Sequence, residues 1–316
     1  MKNKKILKIF IVITCVISLT GCVKYGKTNK KIVKNEKTGQ SLVTNILCKP
    51  TNKEMLKLYE EYNKKSKKKV NLKKLPKCEK MDMTGKYHGL WDNIFVKITA
   101  IIIIQIGRVV KNYGLGLILA TIFIRLLAYP LTRKAALQSE NMKKASPELK
   151  KLEKKYEGKK DQQSAMQKSQ EMMLIYKKYG INPMSTCLFS IFQIPLFFAF
   201  YEAIMRIPVI FEEKFLGFDL GISPMNAVSN GDYKYLIFIA IIAVSTYFSF
   251  KLNSGASMSA DQEKQMKTMS KVMVVMMTIM AFSISTGIAF YWTTTSLFTI
   301  AQNLIVKRGK ENAKNK

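Results

Sequence analysis

One arginine lies inside a long apolar stretch of this sequence. Arg125 falls within residues 113–131, YGLGLILATIFIRLLAYPL, a 19-residue run about as long as a helix that crosses the hydrocarbon of a bilayer. An arginine at the centre of such a helix costs about 2.5–3.5 kcal/mol on insertion scales, so a lipid-facing position without a partner is unfavourable. Thr121 and Tyr129 lie four residues before and after it, so a helix places all three on one face. The spacing predicts a polar stripe with a fixed positive charge, suited to holding a polar or acidic group within the membrane.

Two positions for the Arg125 side chain fit this stretch taken alone. The residue lies six positions from the end of the run, which is about 9 Å at helical rise. Its long side chain could extend to the headgroups at that end. The alternative is a protein-lined, watery cavity, which other polar residues in the apolar segments would favour.

The composition favours a membrane protein with basic loops. The chain has 316 residues, 48% hydrophobic residues and a net charge of +31. Long apolar runs alternate with lysine-rich stretches, which is the pattern of spans and cytoplasmic loops. A DNA- or RNA-binding protein could share the charge, but it would have no use for several long apolar runs.

The first 21 residues resemble a bacterial lipoprotein signal peptide. A lysine-rich start precedes an apolar run, and Leu19-Thr20-Gly21-Cys22 resembles a lipobox in which Cys22 is lipidated. An uncleaved anchor is the alternative. In either case residues 22–90 are expected outside the cytoplasm, where oxidation is possible, so Cys48 and Cys78 could form a disulfide.

Residues 22–90 and 91–111 are expected to lie outside the membrane core. The first range is a lysine-rich arm with few large apolar residues, predicted to be solvated near anionic lipid headgroups, with a short helix over 53–63. The second is predicted to be an interfacial helix on the outer leaflet, with Trp91 at headgroup depth. A full extra span over 91–111 is the alternative.

The remainder of the chain, 112–308, predicts an all-α membrane protein with five transmembrane helices. The loop between the first two spans carries thirteen Lys or Arg and six Asp or Glu over 132–183, which places it in the cytoplasm. Apolar residues at helical spacing predict a hairpin of two helices over 133–180, broken at 158–161. With this loop in the cytoplasm and five spans in all, the N-terminus is predicted to lie outside the cell. The basic tail, 309–316, is predicted to lie in the cytoplasm. The predicted spans are about 113–131, 184–205, 233–250, 271–284 and 287–306.

Several passages together resemble the YidC/Oxa family of membrane protein insertases, in its Gram-positive five-span lipoprotein form. The resemblance covers about residues 90–308. It departs from the family pattern at Phe189 and Thr286, where proline is common. The passages that carry it are Gly114 to Arg125, Pro130-Leu131-Thr132, Pro147-Glu148-Leu149, Lys155-Tyr156, Tyr176 to Pro183, Cys187 to Tyr201, and Tyr291-Trp292 with Gln302.

The resemblance implies five helices around a hydrophilic groove that is closed to the outside and open to the cytoplasm and to lipid. The family's groove arginine falls on Arg125, its glutamine on Gln193 and its tryptophan on Trp292. The neighbouring Thr121, Ser190 and Tyr291 complete the expected substrate groove.

The expected function is insertion and folding of integral membrane proteins. The partners would be nascent membrane proteins and lipid, and the Sec translocon and the ribosome are further candidates; no cofactor, metal or DNA is expected. A small-solute transporter or channel is the alternative, although Arg125 is the only central charge in the predicted spans and no repeat relates the two halves. An intramembrane enzyme has few candidate residues, because the one histidine, His88, lies outside the spans.

Overall fold

A computed structural model describes residues 23–82, 89–159, 161–253 and 260–312. The predicted signal peptide, the lipidation site Cys22 and the end of the basic tail lie outside these residues. The chain divides into two compact units, which are described separately. The first unit draws on residues 1–123, 191–240 and 280–294, and the second on 124–190, 241–279 and 295–316.

The described chain is mostly helical, and its strands are two short antiparallel pairs. One pair joins Lys27 to Ile32 and the other joins Lys214 to Asp219. The helices are α1 (Lys53–Lys65), α2 (Lys97–Val109), α3 (Tyr113–Leu127), α4 (Tyr129–Lys155), α5 (Gln162–Lys178), α6 (Pro183–Met205), α7 (Pro208–Phe211), α8 (Pro224–Ser229), α9 (Leu236–Asn253), α10 (Ala260–Ala281) and α11 (Thr286–Asn312). The strands are β1 (Lys27–Thr28), β2 (Lys31–Ile32), β3 (Lys214–Phe215) and β4 (Phe218–Asp219).

Residues 23–82, here called the N-terminal subdomain, fold around their own core in the first unit. Helix α1 starts at Asn52, whose side chain accepts hydrogen bonds from the next turn. Its buried Tyr59 donates a 2.6 Å hydrogen bond to the Val43 carbonyl. Leu42 and Leu47 are fully buried. The prediction of a solvated arm is therefore wrong for this range, because its few apolar residues are concentrated at 42–48 and on one face of α1.

A disulfide between Cys48 and Cys78 closes this subdomain. The cross-link spans 30 residues, and bridges of this kind stabilise by about 2–4 kcal/mol, chiefly by restricting the unfolded chain. We expect reduction or Cys78→Ser to lower the unfolding temperature of the purified chain and to expose the subdomain to protease. Cys187→Ser should leave the effect of reductant unchanged. Peptide mapping without reductant that finds both thiols free would contradict the bridge.

Helices α2 and α3 approach each other closely at two glycines. A Cβ added to Gly116 would lie 2.4 Å from the Gly107 Cα, so a side chain there would force the helices apart. A π-helical turn over Asp92–Val96 leads into α2. Trp91 precedes this turn and is 3% exposed. The structure therefore buries Trp91 in the protein, whereas the sequence placed it among headgroups.

The second unit contains a helical hairpin made by α4 and α5. A buried cluster joins the two helices and the residues that follow α5: Met142, Ala145, Leu149, Tyr176 and Ile181. Across the hairpin, Lys155 contacts Glu171 and Lys178 contacts Glu148, both at 2.6 Å, so the helices run antiparallel.

These hairpin ion pairs give a small pH dependence. Hydrogen bonds from Lys178 and Tyr179 lower the pKa of Glu148, and those from Lys155 and Tyr156 lower the pKa of Glu171. A lowered folded-state pKa stabilises the hairpin above the ordinary carboxyl pKa, and this contribution is lost as the pH falls through the lowered value. Spin labels on the two helices should show the hairpin loosening under acid. The double variant Glu148→Gln/Glu171→Gln should remove that dependence; an unchanged acid response would contradict it.

The main difference between the helices and the predicted spans is at the first span, 113–131. Helix α3 ends at Leu127, and α4 leaves it at an angle of 70°, so the predicted span 113–131 is broken at Ala128. Pro130 follows in the first turn of α4, where proline is tolerated. Among the described residues, Tyr233–Leu252 alone is long and apolar enough to cross a membrane as one unbroken helix, and the bent α3–α4 pair is a second candidate.

Candidate functional site

The side chain of Arg125 points into the protein. It is 5% exposed, whereas Phe123 and Leu126, its near neighbours on α3, are 46% and 56% exposed. A snorkelling arginine would lie on the exposed side with these apolar residues. The burial instead favours the protein-lined alternative, in which the charge is held by polar surroundings.

The second unit, which contains Arg125, also buries an unusual number of uncharged polar side chains. They come from α4, α9 and α11, helices that are otherwise apolar over much of their length. Because buried polar groups are costly without hydrogen bonds, such a set is expected only where it has a role. The members with at most 8% exposure are Thr132, Ser139, Ser245, Thr246, Ser296, Gln302 and Asn303.

Hydrogen bonds connect some of these side chains across helices. The hydroxyl of Thr132 on α4 donates to Gln302 Oε1 on α11 at 3.1 Å. Lys143 Nζ donates to Glu140 Oε1 and to the Leu252 carbonyl, both at 2.7 Å, which ties α4 to the end of α9. The second unit is therefore joined through polar contacts as well as apolar packing.

Some hydrogen-bonding capacity in the second unit remains unused. The hydroxyl oxygens of Thr246 and Thr295 are buried and have no hydrogen-bond partner among the described residues. An unsatisfied buried hydroxyl costs about 1–3 kcal/mol. A polar ligand or water that reached these groups would regain that free energy, which suits an interior able to receive a hydrophilic segment.

In the first unit, Phe197 contacts one predicted groove residue, Trp292, and follows another, Gln193, by one helical turn. The Trp292 ring meets the Phe197 ring edge-on, with centroids 5.7 Å apart. Gln193 lies one helical turn before Phe197 on the same face of α6 and is partly exposed. The fold therefore brings Phe197 of α6 and Trp292 of α11 together, one helical turn from the partly exposed Gln193.

Two other predicted groove residues of the first unit are fully enclosed. Thr121 has no exposed surface, and its hydroxyl donates to the Leu117 carbonyl at 2.7 Å. Tyr291 is 1% exposed, and its ring stacks on Phe200 at 4.8 Å. In this structure both side chains are part of the packed interior of the unit, and neither is accessible to a substrate. The side chain of Ser190 lies outside the described residues.

Sequence reasoning missed a buried ionic network in the first unit. The Arg206 guanidinium donates two parallel hydrogen bonds to the Asp92 carboxylate, both 2.9 Å long. Trp91 Nε1 donates to Glu202 Oε1 at 3.2 Å, and the other carboxylate oxygen of Glu202 lies 3.7 Å from Arg206. The spacing of Glu202 and Arg206, one helical turn apart, is the only signal in the sequence that indicates it.

The same arginine fastens the N-terminal subdomain to α6. Arg206 Nε donates to the Asn45 carbonyl at 2.7 Å, and its own carbonyl accepts from the Leu47 amide at 2.9 Å. The Glu212 carboxylate adds a hydrogen bond from the Thr51 amide at 3.0 Å. The network therefore joins three parts of the first unit at the end of α6.

A family model described as 60Kd inner membrane protein matches residues 105–314, a range that includes Arg125, Gln193 and Trp292. The chain belongs to this family. Three similar proteins carry insertase names. Membrane protein insertase MisCA of Bacillus subtilis is 34% identical, covering 75% of this chain and 86% of its own length. YidC of Oceanobacillus iheyensis is 34% identical, covering 72% of this chain and 87% of its own length. YidC 1 of Streptococcus pyogenes is 31% identical, covering 72% of this chain and 78% of its own length.

Membership of this family confirms the resemblance seen in the sequence. The match starts within α2, so the N-terminal subdomain and its disulfide lie before the matched range. The ionic network straddles that boundary, because Asp92 precedes the match and Arg206 lies inside it. The subdomain thus lies before the range matched by the family model and is attached to a residue within that range.

Proposed function

We infer that the chain is a membrane protein insertase of a bacterial membrane, and we propose that Arg125 is the residue that receives the client's polar segment. Family membership carries the inference. The inward position of Arg125, in a unit with many buried polar side chains, supports the proposed role.

The proposal follows from the cost of moving polar groups into lipid. A carboxylate or an unsatisfied backbone group of an entering chain costs several kcal/mol in the bilayer core. A guanidinium forms strong, charge-assisted hydrogen bonds to carboxylates and can offer two parallel donors. Arg125 would therefore lower the barrier to transfer of an acidic segment. Partitioning of the client's hydrophobic segment into lipid and the membrane potential supply the free energy for transfer, so no nucleotide is required.

The side chains at Phe197 in the first unit are also proposed to contact the client. Gln193 can donate and accept hydrogen bonds, and the indole of Trp292 can donate one while presenting an apolar face. Such a mixed surface suits the boundary between a client's polar tail and its apolar segment. Ser190 is proposed to add a hydroxyl, whereas Thr121 and Tyr291 support the neighbouring helices.

We further propose the five-span topology, with the N-terminus outside, a lipid on Cys22 and the C-terminus in the cytoplasm. The strong lysine bias of the hairpin loop supports this orientation. The hairpin of α4 and α5 would then meet clients before they enter the membrane. In that position the hairpin is also proposed to contact the ribosome, and the Sec translocon is proposed as a further partner of the chain.

The function is tested by depleting a bacterium of its own insertase and expressing this chain. Membrane insertion would be followed by protease protection of small one-span and two-span proteins with acidic N-terminal tails. Restored protection is expected. A chain that reaches the membrane yet inserts none of these clients, but moves small solutes in vesicles, would instead be a transporter.

A further inference from the structure

A lysine-rich loop of the N-terminal subdomain has an unusual charge. Residues 64–77, here called the lysine loop, contain eight lysines and no acidic residue. All eight side chains are exposed. Like charges this close repel one another, so the arrangement is stable only if the lysines are well solvated or face an anionic partner. The lysines are Lys64, Lys65, Lys67, Lys68, Lys69, Lys73, Lys74 and Lys77.

The loop is held in shape at three places. Asn63 at the end of α1 makes two hydrogen bonds to the Val70 backbone, 2.9 Å to its carbonyl and 2.7 Å from its amide. The Lys49 amide donates to the Pro76 carbonyl at 2.9 Å. The Cys48–Cys78 disulfide closes the far end. A partner therefore meets a backbone that is already fixed, which reduces the entropy lost on binding.

The end of the lysine loop lies against an amphipathic helix. Arg108 Nη1 of α2 donates to the Glu79 carbonyl at 3.3 Å, just after the disulfide. The turn before α2 and the helix itself leave apolar side chains exposed: Ile94 (49%), Phe95 (39%), Ile98 (39%) and Val109 (79%). Helical spacing places these residues on one face of α2, and the lysine loop meets the end of that helix at Arg108. An apolar helix face with a basic segment at its end is typical of a surface that rests on an anionic membrane.

We propose that the lysine loop binds the anionic headgroups of the outer leaflet while the exposed side of α2 enters the lipid beside it. This proposal rests on the membrane setting proposed above. A lipid surface fits better than a soluble polyanion, because it also offers an apolar phase to the exposed face of α2. The loop would then fix the subdomain, and through it Arg206 and α6, against the membrane surface.

The experiment measures lipid preference of the full chain. The chain is purified in non-ionic detergent, and binding of fluorescent phosphatidylglycerol or phosphatidylcholine in mixed micelles is titrated in 0.1 M and 0.5 M salt. Two matched variants each replace five exposed lysines of the same subdomain by glutamine. The loop variant changes Lys67, Lys68, Lys69, Lys73 and Lys74; the control variant changes Lys24, Lys27, Lys30, Lys31 and Lys34.

We expect the unaltered chain and the control variant to prefer phosphatidylglycerol by roughly tenfold or more in 0.1 M salt, and the loop variant to lose most of that preference. In 0.5 M salt the preference should shrink, because screening shortens the reach of the charges. Peptide mapping that still finds Cys48 bonded to Cys78 would show that the loop variant is folded.

Three results would overturn the proposal. The loop variant could keep the preference, or both variants could lose it equally, which would indicate net charge alone. A soluble glycerol phosphate polymer could also bind more tightly than the lipid, which would assign the loop to a soluble polyanion. Arg125→Ala separates this proposal from the groove, since it should reduce insertion and leave lipid preference unchanged.

Discussion

Arg125→Ala is expected to abolish most insertion of clients with acidic N-terminal tails, whereas Arg125→Lys retains it. A charge-assisted hydrogen bond is worth about 1.5–3 kcal/mol, so its loss should slow insertion by roughly tenfold or more. Lysine keeps the charge and can still attract a carboxylate, although it lacks the paired donors of the guanidinium. Protease protection of the client in depleted cells measures the effect.

A matched control distinguishes this role from a general loss of basic charge. Arg133→Ala removes an exposed arginine eight residues further along, on α4, and should leave insertion unchanged. Equal membrane levels of all three variants, measured by immunoblot, exclude loss of the protein as the cause. Full activity of Arg125→Ala with acidic and with neutral clients would reject the proposed role.

Insertion by the same variants can also be measured for clients whose N-terminal tails differ in charge. Replacing the acidic residues of a client's tail by neutral ones should shrink the difference between Arg125 and Arg125→Ala, because the interaction that the arginine makes is lost in both. A purely structural role for the buried arginine predicts the same loss for every client. The dependence on client charge is therefore the more specific test.

The sequence predicted the helices of the membrane core better than the features that join them. Apolar runs and charge bias marked α6, α9 and the hairpin, because burial in lipid or protein requires long apolar segments. The bend at Ala128 was missed, although Pro130 lies two residues beyond it. The run stays apolar through Leu131, and hydropathy does not register a change of direction between two helices.

The N-terminal subdomain shows a different limit. Its lysine content resembled that of a disordered segment, and composition alone does not reveal that Leu42, Leu47 and Tyr59 meet in one core. Such contacts are between residues far apart in the chain. The cysteines were the better guide, because an exported pair suggests a cross-linked fold even where apolar residues are scarce.

Among the predicted groove residues, the position of some could be argued from the sequence and that of others could not. The inward position of Arg125 could be argued from cost, since an exposed arginine in lipid is unfavourable. Spacing placed Thr121 on one face with Arg125, and the family resemblance placed Tyr291 in the groove. Neither could show that these side chains are enclosed in the fold. The pairing of Asp92 with Arg206 was invisible, because 114 residues separate them.

Breaking that pair is expected to have the largest effect on stability. Arg206 and Asp92 are 3% and 8% exposed and share two hydrogen bonds. Removing one partner of a buried ion pair costs about 3–5 kcal/mol, since the remaining charge is left buried. Arg206→Met should cost more than Asp92→Asn, because it leaves both Asp92 and Glu202 without their cation and also removes the hydrogen bond to Asn45.

The measurement is thermal unfolding of the purified full chain, together with trypsin cleavage of the lysine-rich N-terminal subdomain. Arg206→Met should lower the unfolding temperature and speed cleavage, because Arg206 also holds that subdomain to α6. The double variant Arg206→Met/Asp92→Leu should recover part of the loss, since no unpaired charge of Asp92 remains. Arg133→Met, which removes an exposed arginine on α4, is the control and should change little. If Arg206→Met were as stable as Arg133→Met, the network would not hold the subdomain in place, and its attachment would have to rest on the hydrogen bonds of Glu212 and Arg108 instead.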